Sequence, residues 1–116
     1  MSPLANEIYR LLLRRLRTRT PSISYGELAD QVSKKIPTHR RSARFHAALG
    51  EVAVTCRRSQ LPCLPAIVWR QDRQRPSDGY FTVAHPKVKT DDGRVAAWER
   101  EHELVVRAAP RYPSRL

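Results

Sequence analysis

Leu4, Ile8, Leu11, Leu12 and Leu16 stand at relative positions 0, 4, 7, 8 and 12, the spacing of a helical stripe. That spacing puts all five on one face of a helix, and Arg10, Arg14 and Arg17 fall on the other. A first helix is therefore predicted from about Leu4 to Arg17, with Arg15 stranded among the apolar positions, where it must snorkel or mark a fraying end. A second stripe, Phe45, Leu49, Val52 and Cys56, repeats at spacings of four, three and four and predicts a longer helix ending near Ser59. Two amphipathic helices in 116 residues have to share one core, and little chain is left for another.

Between the stripes, Thr20, Pro21 and Ser22 interrupt the helical pattern. Ser24 followed three residues later by Glu27 has the form of a capping box, so an intermediate helix is expected from Ser24 to about Lys34. Ile36 precedes Pro37 and is pushed out of helical geometry, which predicts a short turn over residues 35–38 before the long helix begins. Beyond it, Ala66 to Trp69 and Tyr80 to Val83 are short apolar runs rich in strand formers. The polar stretch Arg70 to Gly79, with Pro76 and an Asp78-Gly79 turn signal, predicts that they pair as antiparallel strands. Val95, Trp98 and Val105 predict a last helix from about Asp92 to Ala108, stopped by Pro110. Glu99, Glu101 and Glu103 alternate along it and, with Arg100, read as a solvated, ion-paired face. Trp69 and Trp98 are expected in the core.

Helix, helix, turn, longer helix and two-stranded ribbon is the order of a winged helix-turn-helix. The expected fold class is α+β, mainly α, with a two-stranded wing and an extra C-terminal helix. The chain reads as a single nucleic-acid-binding domain, 1–116: an N-terminal helix (1–18), a helix-turn-helix (22–59), a wing (61–84) and a C-terminal helix (91–109).

Charge points to the partner. The chain carries 22 Lys and Arg against 11 Asp and Glu, a net charge of +11, and Arg outnumbers Lys 18 to 4. Residues 1–75 hold 15 basic and 5 acidic side chains, whereas residues 76–116 hold 7 and 6, so the excess lies in the first two thirds. Such a concentration in a small domain attracts polyanions. In a helix-turn-helix, the second helix enters the major groove near its N-terminus. Here that stretch contains Arg40, Arg41 and Arg44. Arg40 and Arg44 are four apart and are expected to share a face, continued by the small Ala47. Arginine suits the position because its planar fork grips a phosphate or bonds guanine bidentately. Arg70, Arg73 and Arg75 are expected to track the backbone from the wing. Arg57 and Arg58, which close the long helix, are further nucleic-acid-binding candidates, equally consistent with interaction with its C-terminal dipole.

Ser22-Ile23-Ser24-Tyr25-Gly26-Glu27-Leu28-Ala29, followed by Ala43-Arg44 and Ala48-Leu49, resembles the DNA-binding domain of the alkylguanine DNA alkyltransferases and alkyltransferase-like proteins. The resemblance covers about residues 23–49. It implies that Tyr25 faces the DNA backbone beside the target nucleotide and that Arg44 inserts into the base stack. The family's reactive Pro-Cys-His-Arg is absent, since Pro62-Cys63 continues as Leu64-Pro65. Over about residues 23–81 the order of motifs also resembles the N-terminal head domain of modification-dependent HNH restriction endonucleases and stand-alone phage-type proteins. The pieces are Ile23 to Ala29, Leu49-Gly50-Glu51-Val52 to Cys56, Leu61 to Val68 and Pro76 to Phe81. This implies DNA association or defence biology.

These features predict a non-catalytic, cytoplasmic DNA-binding protein, with duplex DNA as the expected partner. The alternatives are a small phage-type inhibitor or adaptor, of anti-CRISPR or anti-restriction type, that docks on a protein of a nucleic-acid-processing complex, and an alkyltransferase-like lesion binder. No run approaches the roughly 18 to 20 apolar residues of a membrane span. Cys56 and Cys63 are expected to be reduced core residues. Cys63 has only apolar and proline neighbours to activate it, so alkyl transfer is not expected. His39, His46, His85 and His102 are scattered without zinc-site spacing, and the four glycines form no phosphate loop, so neither a metal nor a cofactor is expected.

Overall fold

The computed structural model describes residues 1–116. Five helices and one short sheet follow in the order α1 (Pro3–Leu16), β1 (Ile23–Ser24), α2 (Tyr25–Val32), α3 (Ala43–Arg58), β2 (Val68–Trp69), α4 (Asp78–Ala84) and α5 (Asp91–Arg107). The fold is a mainly helical α+β arrangement. None of its helices is long and apolar enough to cross a membrane.

The two stripes make the core. Leu4, Ile8, Leu11, Leu12 and Leu16 of α1 are buried against Phe45, Leu49, Val52 and Cys56 of α3. Ser2 caps α1 by accepting from the Ala5 amide at 3.1 Å, and Pro3 fits its first turn, where no intrahelical amide is needed. Arg15 leaves the apolar stripe by reaching sideways, donating to the Thr20 carbonyl at 2.8 Å and to Glu27 at 3.1 Å. Ser24 caps α2 through the Glu27 amide at 3.1 Å. At its far end, α3 closes with Gln60 at a φ of 59°, while the amides of Gln60 and Leu61 return to the carbonyls of Arg57 (3.0 Å) and Cys56 (2.9 Å). These are the two hydrogen bonds of a Schellman ending, whose left-handed residue is ordinarily glycine.

The sheet differs from the expected hairpin. β2 pairs with β1, in parallel, with Ile23 opposite Val68 and Ser24 opposite Trp69. Tyr80 to Val83 is not a strand; it lies within α4, where Tyr80, Phe81 and Ala84 form the buried face. Packing of these residues against the core outweighs their strand propensity. What remains of a ribbon is a tight turn from Arg70 to Arg75, closed by one antiparallel bridge with the Arg70 amide 2.8 Å from the Arg75 carbonyl. The chain then crosses into α5, which packs over the 3-10 turn at Leu64–Ile67, and the Trp98 indole donates to the Ala66 carbonyl at 2.8 Å. The C-terminal tail is held by Tyr112, whose hydroxyl donates to the Pro62 carbonyl at 2.7 Å, and by the hydroxyl of Tyr9 on the Pro113 carbonyl.

Two substitutions test this packing by chemical denaturation. Phe45→Ala, at a fully buried position, is expected to cost about 3–5 kcal/mol. Gln60→Gly is expected to stabilise the chain by up to about 1 kcal/mol by relieving the left-handed backbone.

Candidate nucleic-acid interface

Three chain segments border one open cavity of about 450 Å³: the β1–α2 junction, the loop before α3, and the turn after β2. The first and third are brought together by the parallel pairing, because Ser24 opposite Trp69 sets the start of α2 beside the start of the Arg70–Arg75 turn. The second arrives through the start of α3. Ser42 caps that helix by accepting from the Phe45 amide at 3.3 Å, so Arg40 and Arg41 lie in the preceding loop. The expectation that Arg40 and Arg44 share a helix face is thereby corrected. Arg44 alone sits in the first turn of α3; it is exposed and does not border the cavity.

The loop is tied down by its own side chains. The Arg41 amide donates to Nδ1 of His39 at 3.1 Å, and Nε2 of His46 lies 2.7 Å from the Arg40 carbonyl. Arg40 itself is laid across the start of α2: a β-carbon at Gly26 would stand 3.6 Å from its Nη1 and 3.7 Å from its Cδ. Neither Arg40 nor Arg41 is paired with a carboxylate. Arg70 differs, since its guanidinium grips Asp72 bidentately at 3.0 and 2.7 Å. Tyr25 forms a wall. Its hydroxyl donates to Oγ of Ser77 at 3.1 Å and accepts from the Ser77 amide at 2.9 Å. Burial raises its pKa, against the opposing pull of those bonds and of Arg70. The positive end of the α2 dipole also borders the space. The whole favours an anion.

An apolar groove of about 370 Å³ continues past Tyr25, His46 and Ser77 between α3 and α4, lined by Ala47, Leu49, Ala53, Pro65, Tyr80 and Val83. Sequence reasoning did not single out His46, Asp72 or Ser77 as lining residues. The cap at Ser42 was the legible signal for the loop; the approach of Ser77 to Tyr25 depends on tertiary structure.

The remaining candidate residues lie elsewhere. Arg75 is held by Asp91 at 3.2 and 3.4 Å, and Arg73 is exposed at the tip of the turn without a carboxylate partner. Arg58 is exposed at the end of α3. Arg57 turns back onto the protein: its Nε lies 3.1 Å from Sγ of Cys63, and its Nη2 donates to the Ala84 carbonyl at 2.8 Å. Glu101 corrects the solvated reading of its helix, for it is buried and accepts from the Cys63 amide at 2.8 Å. Cys56 and Cys63 are buried free thiols. Burial pushes the Cys56 thiol up to about 11 and raises Cys63 despite the neighbouring Arg57. No three His, Cys, Asp or Glu side chains gather as metal ligands. The chain matches no family model, no curated protein and no solved structure.

Burial also holds His85 and His102 below the ordinary imidazole value of 6.5, although Glu101 opposes this at His85. Below that pH the unfolded chain binds protons that the folded chain resists, so stability falls on acidification. Denaturation midpoints are expected to drop between about pH 7 and pH 5. The double variant His85→Gln, His102→Gln is expected to flatten that dependence.

Proposed function

We propose that this is a non-catalytic DNA-binding protein of winged-helix type. In this reading the loop before α3 and the first turn of α3 form the groove-facing edge, and the Arg70–Arg75 turn is a shortened wing. The observation that carries it is the convergence of Arg40 and Arg41, both free of carboxylate partners, with Arg70 around one cavity on a chain of net charge +11. Guanidinium groups left unneutralised at the surface lose little hydration and release counterions when they meet phosphate, which makes nucleic-acid backbone their natural partner. Arg44 and Arg73 extend the positive charge beyond the cavity on either segment. A fully buried thiol whose pKa is raised offers no nucleophile, which supports a binding role.

Engagement of Arg40, Arg41, Arg44, Arg70 and Arg73 with one phosphate each predicts that log K falls with log salt at a slope of about −4.5 for duplex DNA. Fluorescence anisotropy across a salt series measures it directly. The triple variant Arg40→Ala, Arg41→Ala, Arg44→Ala is expected to reduce the slope by about 3 while the chain stays folded, because all three side chains are exposed. A salt-independent affinity, or no binding at low salt, contradicts the reading.

A further inference from the structure

We infer that the cavity bounded by Arg40, Arg41 and Arg70 is a receptor for a terminal phosphomonoester, the phosphorylated end of a nucleic-acid strand, in preference to an internal phosphodiester. The inference rests on the DNA-binding reading and assigns its cavity a more particular ligand.

Charge is the first argument. Three guanidiniums and the single carboxylate of Asp72 leave two positive charges around the cavity. A phosphomonoester carries about −1.5 to −2 at neutral pH, so it matches that balance. Each internal phosphate carries a single negative charge and would leave one of the guanidiniums uncompensated.

Shape is the second. The cations come from two segments, the loop before α3 and the turn after β2, and border a hollow, whereas an internal phosphate is held between two sugars and needs an open path on both sides. Here one side is closed by Tyr25 and Ser77, whose hydroxyls are engaged with each other. Another is bordered by Asp72, which is fixed by its two bonds to Arg70 and would repel the next phosphate of a continuous strand. A terminal group has three unesterified oxygens and one substituent. It can point those oxygens at Arg40, Arg41 and Arg70 and send its strand out through the open mouth. The anchoring of the Arg40–Arg41 loop by His39 and His46 means that little ordering remains to be done when the anion arrives.

The test compares short blunt duplexes, labelled internally, that carry 5′-phosphate, 3′-phosphate or hydroxyl ends, against the full chain and the variant Arg40→Ala, Arg41→Ala. Circular dichroism verifies that the variant folds. A terminal phosphate at one of the two ends is expected to tighten binding about tenfold or more, as charge-assisted hydrogen bonds to one group allow. That gain is expected to vanish in the variant, and weaker binding to the body of the duplex is expected to remain. Inorganic phosphate at millimolar concentration is expected to erase the preference if the cavity reads the phosphomonoester alone; persistence of the preference would instead place its origin in the strand end as a whole and overturn the assignment of the phosphate as the recognised group. Equal affinity for all three duplexes overturns the inference and leaves DNA binding intact. A preference that survives in the variant overturns it too, because the end is then read elsewhere. Failure of every duplex to bind removes both this inference and the reading beneath it.

Discussion

The pairing of Ile23 and Ser24 with Val68 and Trp69 is the constraint on which the rest depends. It joins segments more than forty residues apart in sequence, and it does so at the point where the chain turns into α2 on one side and into the Arg70–Arg75 turn on the other. Two residues per strand give few hydrogen bonds, so the pairing is held chiefly by what surrounds it: Ile23, Ile67 and Val68 are almost completely buried. The hydrophobic core thereby fixes the separation of two polar loops. Tyr25 and Ser77 then bind those loops a second time, through a reciprocal pair of hydrogen bonds.

The cationic cavity follows from this frame. Repulsion among three guanidiniums opposes their approach, and the structure offsets it in two ways. Arg70 is compensated by Asp72, while Arg40 and Arg41 remain in water, where their mutual repulsion is weak. An anion entering the space would relieve the repulsion that remains. Another arginine, Arg57, folds back onto the protein surface: it donates to the Ala84 carbonyl, approaches Cys63 and lies 4.0 Å from Glu101, while about half of its side chain stays exposed.

Much of the helical framework was legible because burial at a period near 3.6 is written directly into α1, α3 and α5. Glu101 was legible as well, in retrospect: it lies three residues after Trp98 and four before Val105, on the apolar face, and its neighbours Glu99 and Glu103 obscured that. Tyr80 to Val83 misled because four consecutive strand formers after Asp-Gly satisfy a hairpin pattern locally, whereas Tyr80, Phe81 and Ala84 equally satisfy a short helix once a core is available to cover them. The β1–β2 pairing left no trace in periodicity, since a two-residue strand has no pattern to read. Within the site, the basic character and Arg40, Arg41 and Arg70 were readable from composition and order, whereas Tyr25 was singled out only through the resemblance to the alkyltransferase domain. Their arrangement as a hollow was not, because it depends on Ser42 starting α3 two residues after Arg40 and on a parallel contact between distant segments.

The claim most exposed to test is that nucleic acid approaches through this cavity. Titration of an isotopically labelled chain with duplex DNA, followed by magnetic resonance of backbone amides and arginine Nε groups, reports the contact surface residue by residue. The largest shifts are expected at Tyr25, Gly26, Arg40, Arg41 and Arg70, with Arg57 and the exposed face of α5 unchanged. Shifts centred on α1 or α5, with the cavity residues silent, would contradict it.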